Sequence, residues 1–260
     1  MSYLKQKKFT IILFVLFILI YPAVVQTAEI EDPAGRKVEV PEKINKIAAV
    51  GPGALRLIVY LKAEDRIVGI EEFEKRHPVR PYILAQPQLL NLPVIGPQFG
   101  GDAELIAARE PDLIIASYLS SAELSHLQNK TKIPVISIND GAPGSMTEED
   151  FRRALRFLAE ILDKEKRAEE LLNYMEVQKA ELKEISRNSA VSKRVYIGGI
   201  GNKGAQGISS TEAAYPPFQY LGLENIIEAE GKSNFTISKE RLLLEEAPEA
   251  LRTRVRVLRR

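Results

Sequence analysis

The side chains most often recruited for chemistry are sparse in this sequence. Its 260 residues include no cysteine, and His77 and His126 are the only histidines. Without cysteine there is no disulfide framework, no thiolate-ligated zinc or iron–sulfur centre, no thiol nucleophile and no lipid-modified cysteine anchor. His77 lies in the loop Lys75-Arg76-His77-Pro78 and His126 in a polar helical stretch, neither with a partner at metal-ligand spacing. No G-x-S-x-G turn is present to present a nucleophilic serine. The many carboxylates fall mostly on helix faces, where solvated charge is the ordinary role. The sequence therefore assigns no catalytic residue, no metal ligand and no cofactor. Binding, not catalysis, is the expected activity, with an exported α/β enzyme as the rival.

One motif needs separate treatment. Gly199-Ile200-Gly201-Asn202-Lys203-Gly204 follows a strand-like run and has the form of a dinucleotide-binding turn. That turn requires a helix to open directly after it. Here Ala205-Gln206-Gly207-Ile208-Ser209-Ser210 follows, which reads as loop. The better match is a glycine-rich loop whose backbone amides, with Asn202 and Lys203, approach an anionic ligand.

Elements that could position such loops are clear in the first half. Short β-branched runs at Ile47–Val50, Ile67–Ile70, Val94–Ile95, Leu113–Ala116 and Val135–Ile138 alternate with helical patterns at Ala54–Leu61, Ala103–Arg109 and Ala122–Asn129. Gly51-Pro52-Gly53, Gly96-Pro97 and Gly100-Gly101 mark turns between them. Alternation of this kind predicts a parallel sheet covered by helices, with ligands beyond the carboxyl ends of the strands. From Thr147 to about Ser189 an apolar stripe (Phe151, Leu155, Leu158, Leu162, Leu172, Met175, Leu182, Ile185) predicts one long helix suited to bridging two lobes. Thr147 with Asp150, or Ser145 with Glu148, offers a capping box at its start. The stripe breaks at Glu165 and Glu169, which weakens a coiled-coil reading. Beyond it, Arg194–Ile200 reads as a strand, Tyr215–Leu221 as a short helical segment and Ser238–Glu246 as a further helix.

Charge separates the ends from the body. The total is +1, with 36 Lys+Arg against 35 Asp+Glu. Lys5, Lys7 and Lys8 lie in residues 1–28, and five arginines lie in the last ten residues. Removing these eight leaves 28 basic against 35 acidic residues, a net of −7 for residues 29–250. The basic start precedes an apolar run from Phe9 to Val25, the pattern of a secretory signal or membrane anchor. The organisation expected is thus a signal or anchor over 1–28, an N-terminal α/β lobe over 29–146, an inter-lobe helix over 147–190 and a partial C-terminal α/β lobe over 191–260. The working part lies outside the cytoplasmic membrane, periplasmic or at the cell surface, and no nucleic-acid partner is expected.

Several segments together resemble a known family. They are Asp32-Pro33-Ala34-Gly35-Arg36-Lys37-Val38-Glu39-Val40-Pro41, Ile47–Val50 with its glycine loop, Ala63–Gly69, Pro93-Val94-Ile95-Gly96, and Glu104-Leu105-Ile106-Ala107-Ala108-Arg109-Glu110-Pro111-Asp112-Leu113-Ile114-Ile115. They look like the periplasmic-binding-protein family of metal-chelate ABC importers, receptors for ferric siderophores, haem and cobalamin. The resemblance implies two Rossmann-like α/β lobes joined by one long helix, a ligand held in the cleft between them, and delivery to a membrane permease. Its cleft positions, carried over, are Pro52, Gly53, Phe99, Gly100, Ser117, Tyr118 and Asp140, with Asn202, Lys203 and Tyr215 from the second lobe. Small polar and aromatic side chains suit a flat chelate, held by stacking and a few oriented hydrogen bonds. The partners implied are a metal chelate, haem or corrinoid and the permease, with the membrane reached through the signal or anchor or through that permease.

Two departures stand out. Relatives place a permease-docking glutamate on the first helix where this sequence has Arg56. At the end, Arg252, Arg254 and Arg256 fall where relatives have an apolar strand, and charges there conflict with burial in a sheet. The second lobe is therefore expected to be incomplete, and a non-functional remnant is a further rival reading.

Overall fold

The computed structural model describes residues 26–97, 100–139, 147–187, 194–200, 207–213, 215–227 and 234–244. The basic apolar start at 1–25 and the arginine-rich end lie outside them. Among the described residues, no helix is long and apolar enough to cross a membrane. The chain divides into two compact units, residues 1–55 with 65–140, and residues 56–64 with 141–260.

The first unit is built on a four-stranded parallel sheet. Its strands are β3 (Ile47–Val50), β4 (Ile67–Gly69), β5 (Leu113–Ala116) and β6 (Val135–Ser137), in the order β4-β3-β5-β6. Every residue of β3, β5 and β6 is buried, as a parallel sheet covered on both faces requires. The register pairs Ile47 with Leu113 and Val50 with Ala116, and then Ile114 with Val135. Val94, expected in a strand, joins through a single parallel bridge to Ile70. Helix α1 (Ala54–Tyr60) follows β3. Between Glu71 and Leu92 the chain makes the short helices α2 (Glu72–Arg76) and α3 (Pro81–Ala85) and a 3-10 turn at Pro87–Asn91. Helices α4 (Ala103–Ala107) and α5 (Ser121–Thr131) flank β5. Asp102 caps α4, accepting from the Glu104 and Leu105 amides, and Ser120 with Glu123 forms a complete capping box on α5. Val50, Ile95, Ile106, Ile114, Leu124 and Leu127 share one buried cluster.

An N-terminal hairpin, β1 (Thr27–Glu31) with β2 (Lys37–Pro41), precedes the sheet. Its turn is latched by Asp32, which is buried and accepts from the Ala34, Arg36 and Ser137 amides. The Arg36 guanidinium continues the latch to the Val135 carbonyl and Gln128 Oε1, tying the hairpin to β6 and α5. Those bonds explain the Asp-Pro-Ala-Gly-Arg sequence without recourse to a ligand.

In the second unit the predicted single helix is two: α6 (Glu148–Leu162) and α7 (Glu165–Arg187). Asp163 takes a left-handed φ of 55° and closes α6 by donating its N–H to the Ala159 carbonyl. The break falls where the apolar stripe fails at Glu165, and Arg156 of α6 then pairs with Glu169 of α7. Thr147 and Asp150 form the expected capping box. Further on lie β7 (Arg194–Val195), β8 (Ser210–Glu212), α8 (Pro216–Leu221), β9 (Glu224–Asn225), β10 (Asn234–Thr236) and α9 (Lys239–Leu244). β7 pairs with β9 in parallel and β8 with β10 antiparallel. Thus the strand expected over Arg194–Ile200 is regular for its first two residues only, and β8 begins at Ser210, the last residue of the expected loop, and continues into residues given no element from the sequence. A small cluster of Ile226, Ile227 and Ile237 forms the apolar centre of these elements.

Candidate functional site at the strand ends of the first unit

Each strand of the first sheet delivers a loop at its carboxyl end, and these loops are bonded to one another. Gly51, after β3, has φ 85°, and a Cβ there would stand 2.4 Å from the Ser117 carbonyl oxygen. Only glycine fits so close an approach in that conformation. Ser117, after β5, is fully buried; its amide donates to the Val50 carbonyl and its hydroxyl to the Pro52 carbonyl at 2.7 Å. The hydroxyl is thereby committed to fixing the Pro52-Gly53 turn. Tyr118 is a non-glycine residue at φ 56°, and its amide donates to Asn139 Oδ1 at 2.9 Å, joining the β5 and β6 loops. Left-handed backbone at a bulky residue is held there by its surroundings and is common at functional positions.

Glu71, two residues past the end of β4, joins the remaining loops. It is 4% exposed, and its carboxylate accepts from the Gly51 amide at 3.1 Å and the Gly100 amide at 3.3 Å. Burial pushes its pKa above the ordinary glutamate value, while the Gly51, Gly100 and Gly101 amides pull it back down. Nearby Glu74 is saturated separately by Arg80 and Tyr82. Burial, with Glu74 as hydrogen-bond partner, pushes the Tyr82 phenol up to about 12.

Of the predicted site residues, Pro52, Gly53, Gly100, Ser117 and Tyr118 share this set of strand-end loops. Tyr215 belongs to the second unit, where it precedes α8 and its ring meets Phe218 edge-on at 5.1 Å between centroids. Phe99, Asp140, Asn202 and Lys203 lie outside the described residues. Sequence reasoning missed Glu71 and Asn139. The one available signal for Glu71 was an acid placed directly at the end of an apolar strand. A groove of about 630 Å³ beside the site runs between α4 and α5, lined by Gly100, Gly101, Leu119, His126 and Lys130 among others. Among the described residues, no cluster of three or more His, Asp or Glu side chains is arranged to hold a metal ion.

The sequence pattern of periplasmic binding proteins matches residues 47–255, most of the chain. The chain belongs to the periplasmic binding protein family. The molybdate-binding protein MolA of Haemophilus influenzae is 24% identical over 229 residues, 76% of this chain and 65% of that protein. The chain thus spans just under two thirds of the length of that curated relative. The molybdate-bound MolA structure aligns with a TM-score of 0.64 at 20% identity, covering 83% of this chain and 71% of the other. The petrobactin-binding protein YclQ of Bacillus subtilis aligns with a TM-score of 0.61 at 18% identity, covering 82% and 72%. The vitamin B12 binding protein BtuF of Vibrio cholerae aligns at 0.53 and 19% identity, covering 78% and 73%. These likenesses share the α/β fold with its parallel sheet, whose strand-end loops make up the candidate site.

Proposed function

We propose that this chain is an exported solute-binding protein of an ABC importer. Its ligand is an iron chelate or corrinoid, which it carries to a membrane permease. It is a receptor, not an enzyme. The observation that carries the ligand class is the makeup of the strand-end loops. Pro52, Gly53, Gly100, Ser117, Tyr118 and Asn139 bring no charge, and the buried Glu71 carboxylate already takes the Gly51 and Gly100 amides. A small dianion placed there would meet a carboxylate on amides already in use, and would find no cation among these side chains. A larger chelate loses less, because stacking and apolar contact supply its binding energy. Neighbours whose names specify petrobactin and vitamin B12 support the same class.

A second reading, molybdate, is favoured by the curated relative MolA. Tyrosine fluorescence separates the two, since the chain has nine tyrosines and no tryptophan. Titration of the folded protein with a ferric catecholate, cyanocobalamin, haemin and sodium molybdate should change the emission saturably with one of the first three. A response to molybdate alone would replace the chelate reading, and no response to any would remove the receptor assignment.

A further inference from the structure

One side chain joins strand-end loops that are distant from it in sequence. Glu71 lies 20 residues from Gly51 and 29 from Gly100, yet its two carboxylate oxygens take one amide from each. Both glycines have positive φ values, 85° and 130°, and lie in turns outside the strands. Gly51 is buried, where an amide without an acceptor is costly, so its turn depends on the acceptor that Glu71 supplies; the half-buried Gly100 amide donates to the same carboxylate at 3.3 Å. The Gly51 turn is also pressed against Ser117, whose hydroxyl fixes the Pro52 carbonyl. One carboxylate therefore sets three loops: the Gly51–Gly53 turn directly, the Gly100–Gly101 turn directly, and the Ser117–Tyr118 loop through Gly51.

We propose that Glu71 is a positioning residue for ligand binding, an internal anion that occupies the amides of two glycine turns and fixes the strand-end loops in their binding arrangement. It contacts the loops and not the ligand, so its removal lowers affinity by loosening the face. This rests on the reading of these loops as the ligand face, and the experiment keeps the two apart.

The test compares the full-length chain with Glu71→Gln and with Glu72→Gln, a neighbouring acid on α2. Amide hydrogen exchange is followed at Gly51 and Gly100, with Ile114, bonded to the Pro134 carbonyl in the sheet, as internal reference. Glu71→Gln offers one acceptor and one donor in place of two acceptors, so at least one glycine amide should exchange about tenfold faster or more, with Ile114 unchanged. Affinity for whichever of ferric catecholate, cyanocobalamin, haemin or molybdate binds the parent protein should fall about tenfold, while Glu72→Gln leaves it unchanged. A purely structural Glu71 would instead shift the thermal midpoint and Ile114 exchange together, with affinity retained. If Glu71→Gln does not fold, the parent protein still decides the matter. The Gly51 and Gly100 amide proton shifts should then titrate together, with a midpoint above the ordinary glutamate value. Unchanged exchange at both glycines, or independent titration of the two, overturns the proposal. Failure of the parent to bind any of the four ligands would defeat the receptor reading and with it the ligand-positioning role, leaving the exchange result to establish or reject the clamp itself.

Discussion

Two glutamates, one in each unit, carry opposite electrostatic burdens. Glu71 is buried in the first unit and, among the described residues, its carboxylate accepts from backbone amides; desolvation raises its pKa. Glu148 opens α6 in the second unit and receives the Lys179 ammonium at 2.8 Å, the Tyr220 hydroxyl at 3.1 Å and the Arg152 guanidinium. The Lys179 hydrogen bond leads the set that lowers its pKa. Glu148 thus brackets α6, α7 and α8 by charge at a partly exposed site, where each pair contributes little. Burial makes the charged form of Glu71 costly, and the glycine amides it accepts offset part of that cost. The contrast separates a stability device from a positioning device made of the same residue type.

The largest effect that would sharpen this contrast is expected from glycine. Gly51→Ala places a methyl group 2.4 Å from the Ser117 carbonyl at a left-handed φ. Differential scanning calorimetry should show a loss of roughly 3 kcal/mol or more, the sum of backbone strain and a forced shift of the neighbouring loop. Gly222→Ala, after α8, is also left-handed but meets only the Ser186 hydroxyl at 3.4 Å, and should cost about 1 kcal/mol. Equal losses at the two sites would remove the claim that the first-unit loops are the tightly fitted ones.

Next in size is Glu148→Ala. Chemical denaturation should record a loss of about 1–2 kcal/mol, with ligand affinity unchanged. A drop in affinity at constant stability would reverse the roles assigned to the two glutamates.

The pH dependence follows from the directions of the shifts. Glu148 has a lowered pKa in the folded protein, so its stabilisation is complete above the unfolded-state value and is lost as pH falls through the folded one. Glu71 has a raised pKa, so its contribution to stability is complete below the unfolded-state value and is lost as pH rises through the folded one. The stability gap between the parent and Glu148→Gln should therefore shrink on acidification. Glu71→Gln should do relatively better than the parent as pH rises from the acid range toward neutrality. Parallel urea-denaturation curves for the two variants across that range would contradict this assignment.

The smallest effect is Tyr220→Phe, which removes one of the Glu148 hydrogen bonds at a partly exposed site and should cost about 0.5–1 kcal/mol by the same denaturation. No measurable change would confine the bracket to Lys179 and Arg152.

These contrasts were unevenly visible in the sequence. Ile47–Val50 and Leu113–Ala116 could be placed residue for residue because a strand buried on both faces leaves a continuous apolar run. The hairpin at Thr27–Pro41 left a weaker trace, since Val38 and Val40 are the only buried residues of its two strands, among mostly charged or exposed neighbours. The break at Asp163 left a trace in the failure of the apolar stripe at Glu165 and Glu169, but a polar interruption of that kind is also compatible with one continuous helix. β7, β8, β9 and β10, each two or three residues long, are too short to register any period. At the site, the glycine turns and Ser117-Tyr118 were visible through their positions after strands. Glu71 was not, because an acid beginning a helix normally belongs to a solvated first turn. Its partners are set by loops 20 and 29 residues away, which only the folded sheet brings together.

The central claim is that this member of the periplasmic binding protein family captures a metal chelate or corrinoid. Equilibrium dialysis of the full chain against radiolabelled ferric catecholate and against labelled cyanocobalamin, each competed with excess sodium molybdate, tests it most directly. One of the two labelled ligands should be retained at about one equivalent with micromolar or tighter affinity and should resist molybdate, as expected of a specific site. Retention of neither, together with no retention of haemin in a parallel dialysis, or displacement by molybdate, would contradict it.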